Sequence, residues 1–95
     1  MNDLFTKLWR FSHSGPWLPL HENLVTATLA KDADAVDQTI KAGTKVRLVM
    51  ISRFGDVGIT DKMDSVNYIA RVGNERNPGD LETWFNNIEG LTNAS

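Results

Sequence analysis

Clustered carboxylates are the first residues of this chain whose spacing suggests chemistry. Asp32, Asp34 and Asp37 form an acidic group of the kind that binds hard cations. An EF-hand loop that began at Asp32 would have glycine at its sixth position and glutamate at its twelfth. This chain has Asp37 and Gly43 at those positions. We therefore interpret the group as a solvated acidic loop and predict no metal site.

The other reactive side chains lack the arrangement that catalysis or metal binding needs. His13 and His21 do not match a zinc-ligand spacing, and the chain has only 2 histidines. Neither Ser12 nor Ser52 lies in a nucleophile elbow. The absence of cysteine excludes thiolate zinc sites, disulfides and cysteine nucleophiles. The sequence therefore predicts a protein that is not an enzyme and has no catalytic residues or cofactor.

The run Gly55-Asp56-Val57-Gly58 has the G-x-x-G spacing of the loop with which KH domains hold nucleic-acid backbone. The carboxylate of Asp56 would repel phosphate, and a strand rather than a helix is expected after the second glycine. We predict a hairpin corner at this position.

A row of basic residues accompanies the most strand-like segment, Lys45–Ser52. Residues at odd positions of a strand share one face, so the basic side chains there would point outward together. With Phe54 or Trp84 nearby, such a face would bind nucleic acid by phosphate contact and stacking. The alternative is a solvated face that discourages edge-to-edge pairing. The net charge of −2 disfavours a nucleic-acid role, which we keep as the second hypothesis. Its candidate residues are Lys41, Lys45, Arg47 and Arg53.

Aromatic residues are the most unusual feature of the composition. Trp84 and Phe85 are adjacent, and on a strand they would point to opposite faces. One ring would then lie outside the interior, packed under Trp9 and Trp17 or covered by a partner. Because aromatic residues are enriched at interface cores, our leading hypothesis is an interaction module that binds a protein partner or self-associates. The candidate partner-binding residues are Phe5, Trp9, Trp17 and Trp84.

Length and composition indicate one domain over residues 1–95, with 41% hydrophobic and 23% charged residues. Residues 3–13 are predicted to form an amphipathic helix, because Leu4, Leu8 and Phe11 repeat at helical spacing. Residues 1–23 would be this helical extension and a proline-containing connector, and residues 24–91 a β domain.

The predicted β elements follow from alternation and β-branched residues. In the long strand Lys45–Ser52, the side chains of Val46, Leu48 and Met50 are expected to face inward. Residues 32–42 fit a loop and turn or a short helix, and we favour the loop. The other predicted elements are strands at residues 24–29, Val57–Thr60, 68–72 and 81–85, a surface turn at residues 74–80, and a one-turn helix at residues 86–91.

The order of these elements resembles an SH3-like small β-barrel. The pattern is Gly43-Thr44 before a strand, then Gly55-Asp56-Val57-Gly58-Ile59, then residues 68–72, then a strand that ends in a turn at residues 87–91. The resemblance covers about the last half of the chain. It implies a strongly bent barrel of about five strands with glycines at its corners. The N-terminal helix would be an appended element. Small barrels host many functions, so the resemblance implies none in particular.

No segment predicts a membrane or a secreted location. The apolar run at residues 48–51 is far shorter than the roughly 20 residues of a membrane-spanning helix. The N-terminus lacks the apolar region of a signal peptide. Together with the absence of cysteine, this predicts a cytoplasmic protein.

Overall fold

The computed structural model describes residues 25–52 and 54–90, together with the backbone of residues 17–19. The described part is mainly β, as predicted. The predicted helix at residues 3–13 lies outside it. The elements are β1 (Trp17–Pro19), β2 (Thr26–Leu29), β3 (Ala33–Asp34), β4 (Thr39–Ile40), β5 (Lys45–Ser52), β6 (Val57–Thr60), β7 (Ala70–Val72), a 3-10 helix (Leu81–Thr83) and β8 (Phe85–Glu89).

One antiparallel sheet contains most of these strands, in the order β7-β6-β5-β2-β8. The long strand β5 has two partners on the same edge. Its first half pairs with β2, where Thr28 lies opposite Lys45. Its second half pairs with β1, where Trp17 lies opposite Ser52. The segment predicted as a connector therefore contributes a strand.

The long strand β5 is irregular at its centre, which corrects the predicted alternation. Its pairing register with β6 shifts between Leu48 and Met50. A bulge adds one residue to a strand and so reverses which side chains face the core beyond it. Val46, Leu48 and Ile51 therefore lie in the core, whereas Met50 is only half-buried.

The core is formed by side chains of the main sheet together with Leu81 of the 3-10 helix. The two-stranded sheet of β3 and β4 contributes Ala33 and Ile40 to it. This small hairpin occupies the region for which we favoured a loop over a helix. The other core residues are Val25, Ala27, Leu29, Val46, Leu48, Ile51, Val57, Ile59, Ala70, Val72, Trp84 and Phe85.

The C-terminal prediction is wrong in both of its elements. A 3-10 helix replaces the predicted strand at residues 81–85, and β8 replaces the predicted helical turn at residues 86–91. The amide of Thr83 and its Oγ1 both donate to the Asp80 carbonyl, at 2.9 and 2.6 Å, which closes the 3-10 turn. The amide of Ala30 then donates to the Trp84 carbonyl at 2.9 Å and starts the pairing of β8 with β2.

Within the described ranges, no helix is long and apolar enough to cross a membrane.

Candidate functional site

A groove of about 280 Å³ lies between the β3–β4 hairpin and β7. We call it the hairpin groove. It is lined by residues 34–36 of the hairpin, residues 68–71 at β7, and Asn74 and Arg76 of the following loop. Val36 is 87% exposed and Tyr68 is 38% exposed. The groove therefore presents apolar surface to solvent beside charged side chains.

The buried side chain of Asn77 bonds to both walls of the hairpin groove. Its Nδ2 donates to the carbonyls of Asp34 at 2.9 Å and of Arg71 at 2.8 Å. Its Oδ1 accepts a hydrogen bond from the amide of Asp34 at 2.8 Å. The side chain is thus bonded to the backbone of both walls, and we call it the Asn77 clamp. It fixes the separation of β3 and β7.

The loop that carries Asn77 is closed by its own hydrogen bonds. The Asn77 amide donates to Asn74 Oδ1 at 2.9 Å, and the Gly73 amide donates to the Asn77 carbonyl at 2.7 Å. Gly73 has a φ of 89°, and a Cβ there would lie 3.2 Å from the Gly55 carbonyl oxygen. Residues 74–80 were predicted to form a surface turn, but Asn77 is only 3% exposed. The turn is therefore anchored in the interior.

Arg71 is fixed in the groove wall by an ion pair with Asp56. The Arg71 Nε donates to Asp56 Oδ2 at 2.7 Å, and its Nη2 contacts the same oxygen. The side chain of Asp56 is 3% exposed and that of Arg71 is 32% exposed. The aspartate of the Gly55–Gly58 run thus faces the interior, and β6 follows it as predicted.

Replacing Asp56 by asparagine should lower the free energy of unfolding by about 2 kcal/mol, because it removes one charge of a largely buried pair. The measurement is urea denaturation followed by circular dichroism. The control is Asp61→Asn, a neutralisation of the same kind at an exposed carboxylate. Equal midpoints for the two variants would contradict the structural role of the pair.

Tyr68 packs against the backbone of β6 at a glycine. A Cβ placed on Gly58 would lie 2.9 Å from the Tyr68 Cβ and 2.8 Å from the Met50 Cγ. Only glycine permits this approach, so the position of Tyr68 depends on the residue type at position 58. Tyr68, two residues before β7, is thus held against the sheet, and Val36 lies in the turn of the β3–β4 hairpin.

The predicted aromatic surface is not formed by Trp84. The side chain is 3% exposed, its Nε1 donates to the Pro78 carbonyl at 3.2 Å, and the Lys31 Nζ lies 4.2 Å from the ring centroid. Phe85 is also buried in the core. The expectation that one of these two rings lies outside the interior is therefore wrong, because Trp84 ends the 3-10 helix instead of continuing a strand.

The other predicted partner-binding residues have no described side chain. Phe5 and Trp9 lie outside the described residues, and Trp17 is described only as backbone of β1. Their role in partner binding stays a prediction.

The basic residues predicted to share one face differ in their exposure. Lys41 and Lys45 are exposed, but Arg47 is only 8% exposed. Its Nη1 donates to the carbonyls of Met63 at 2.9 Å and Ser65 at 3.0 Å, so it supports the connection between β6 and β7. Arg53 lies outside the described residues. A nucleic-acid role for these four residues stays a prediction.

Two carboxylates of the predicted acidic loop accept hydrogen bonds from residues of the same segment. Asp32 Oδ1 accepts from the Ala42 amide at 2.8 Å, and Asp34 Oδ1 accepts from Thr39 Oγ1 at 3.5 Å. In the ranges 25–52 and 54–90, no group of three or more histidine, cysteine, aspartate or glutamate residues could hold a metal ion.

A second depression, of about 370 Å³, lies on β2, β5 and β8. Asn87, with a φ of 54°, forms part of it, as do Lys45 and Glu89. Its apolar residue Ile88 is only partly exposed. The hairpin groove is the better candidate because two large apolar side chains, Val36 and Tyr68, are exposed in it.

No protein-family model, curated protein or solved structure matches this chain. The geometry of the hairpin groove is therefore the basis for the functional proposal.

Proposed function

We propose that this chain is a non-enzymatic interaction module that binds a protein partner in the hairpin groove. The observation that carries the proposal is the exposure of Val36 and Tyr68 on walls that the Asn77 clamp holds together. A preformed groove loses little conformational entropy on binding, so more of the contact free energy appears as affinity. Tyrosine and arginine, both present here, are enriched among the residues that dominate binding energy at interfaces.

The fold that we propose for this module is an SH3-like small β-barrel. Five strands follow one another in the order β7-β6-β5-β2-β8, and the bulge in β5 is the kind of feature that bends a strand between two layers. Gly43 and Gly55 have φ values of 90° and 102° in the turns that flank β5. These glycines support the tight corners that the resemblance implies.

Selection of a displayed random-peptide library on the immobilised full chain tests this function. The selected peptides are then measured against Val36→Asp, inside the groove, and Phe54→Asp, a matched change at an 83% exposed residue outside it. Both positions are so exposed that the variants should fold. We expect Val36→Asp to weaken binding by at least about tenfold and Phe54→Asp to change it less than about twofold.

Two outcomes would contradict the proposal. One is that no selected peptide depends on Val36. The other is that single- or double-stranded oligonucleotides bind at low salt and lose binding in Lys41→Glu and Lys45→Glu variants, which would favour the nucleic-acid hypothesis. Light scattering after size exclusion decides separately whether the chain self-associates.

A further inference from the structure

We propose that residues 3–13 of this chain dock in the hairpin groove and place their apolar side chains against Val36 and Tyr68. The segment lies outside the described residues, and both groove residues are exposed in the described part. This inference rests on the proposed function and adds its regulation, because a partner would have to displace the segment from the groove.

The charges of the hairpin groove nearly cancel, so apolar contact selects its occupant. The Arg71 Nε donates to Asp56 Oδ2 at 2.7 Å, which neutralises that guanidinium. The other guanidinium of the groove, that of Arg76, is offset by the carboxylate of Asp34. An occupant therefore needs apolar side chains in a row and no particular net charge.

The segment at residues 3–13 supplies such a row. Leu4, Leu8 and Phe11 repeat at helical spacing and would form one stripe. Thr6 would lie on the opposite side of the same helix. Helices shorter than roughly 12 residues are marginally stable alone in water, so this stripe needs a surface to pack on. The hairpin groove offers such a surface.

One row of paired residues connects β1, which follows the segment, to the wall of the groove. Leu18 of β1 lies opposite Ile51, and Ile51 lies opposite Val57 of β6. Val57 in turn lies opposite Val72 of β7. Three strand spacings therefore separate β1 from β7, which is about 14 Å along the sheet.

The chain enters β1 at the same end of the sheet as the groove loop. Since β1 and β6 are antiparallel to β5, and β7 is antiparallel to β6, β7 ends where β1 begins. The loop that follows β7 carries the groove residues Asn74 and Arg76. Residues 14–16 span up to about 10 Å when extended, and a helix of residues 3–13 is about 16 Å long. The segment can therefore reach the groove of its own chain.

The short connector favours the chain's own segment over a second copy. Short tethers give effective concentrations of about 1 mM, so even a weak contact is formed in most molecules. A second copy would reach that concentration only in very concentrated solution.

Backbone amide chemical shifts of the isotope-labelled full chain test this inference. Leu8→Asp places a charge in the apolar stripe, so we expect it to shift the resonances of residues 34–36 and 68–71. Thr6→Asp is the matched control, because it adds the same charge on the other side of the predicted helix. It should leave the resonances of the groove unchanged.

The reciprocal experiment changes the groove and observes the segment. Val36→Asp should shift the resonances of residues 3–13. Phe54→Asp, a matched change at an exposed residue of the β5–β6 turn, should not shift them. Both positions are exposed, so these variants should fold even if Leu8→Asp disturbs the fold.

Three results of these titration-free measurements would overturn the inference. One is that neither Leu8→Asp nor Val36→Asp shifts the resonances of the other element. Another is that residues 3–13 respond to Phe54→Asp and not to Val36→Asp, which would place the segment on the β5–β6 turn. The third is that the effects disappear on dilution as light scattering shows a dimer become a monomer, which would assign the groove to a second copy.

Peptide binding separates this inference from the proposed function. A selected peptide that depends on Val36 should bind Leu8→Asp at least about fivefold more tightly than the unchanged chain, because the groove is then vacant in more molecules. Equal affinities would overturn the inference and leave the function standing. If no peptide depends on Val36 but both reciprocal shifts are seen, the function fails and the docking of residues 3–13 is supported.

Discussion

Replacing Trp84 by alanine should lower the free energy of unfolding by about 3–5 kcal/mol, the range for removal of a large buried ring. The ring lies in the core cluster at 3% exposure, donates a hydrogen bond to the Pro78 carbonyl and lies beside the Lys31 ammonium. Since small domains have a total stability of about 5–15 kcal/mol, much of the population would unfold at moderate urea concentrations. The measurement is urea denaturation by circular dichroism.

Trp84→Phe is the matched control for this prediction. It keeps an aromatic ring in the core and removes the Nε1 donor, so we expect a smaller loss of about 1–2 kcal/mol. If Trp84→Ala instead left the unfolding midpoint unchanged and abolished partner binding, the ring would belong to a surface, as the sequence first suggested.

Replacing Asn77 by alanine should lower the free energy of unfolding by about 3 kcal/mol. The change deprives the carbonyls of Asp34 and Arg71 and the amide of Asp34 of their partner. Each buried polar group left without a hydrogen bond costs about 1–3 kcal/mol, offset in part where water reaches it. Because the Asn77 clamp joins β3 to β7, we also expect hydrogen exchange to accelerate in residues 33–40 more than in β5 and β6.

Asn77→Asp distinguishes the clamp from simple packing. The aspartate keeps the acceptor for the Asp34 amide and nearly the same volume, but it removes both donors and places a carboxylate against carbonyl oxygens. We expect a loss at least as large as that of Asn77→Ala. Normal exchange protection of residues 33–40 in either variant would contradict the clamp.

The central strands were predictable because their residues favour the strand conformation that the sheet also imposes on them. Lys45–Ser52 and Val57–Thr60 are rich in β-branched residues, and both are strands within the predicted limits. The facing of side chains beyond Leu48 was not predictable, since a bulge is set by pairing with β6 and not by the composition of β5.

The C-terminal strand was missed because tertiary pairing overrides local preference there. Phe85–Glu89 contains two asparagines, one of them in the left-handed region, and its sequence resembles a turn more than a strand. It becomes β8 through its pairing with β2, in which Leu29 lies opposite Phe85. The pattern of apolar and polar residues over these five positions carries no information about such a long-range contact.

The hairpin groove could not be predicted from the sequence either. Asn77 precedes Pro78 and Gly79, which is ordinary turn chemistry, and its backbone partner Asp34 is 43 residues away. Arg71 lies in a segment predicted as a strand, and nothing in the sequence indicates that Asp56 pairs with it. The sequence did indicate a surplus of aromatic side chains, but burial in the core, not a shared surface, accounts for Trp84 and Phe85.

Mapping of backbone amide chemical shifts tests the central claim, that the hairpin groove is the binding surface. The isotope-labelled full chain is titrated with a peptide selected from the displayed library. We expect the largest shifts at residues 34–36 and 68–71 and at Asn74 and Arg76, with smaller shifts at Asn77. Shifts confined to β1 and the residues before it, or to the depression that contains Lys45 and Asn87, would contradict the claim.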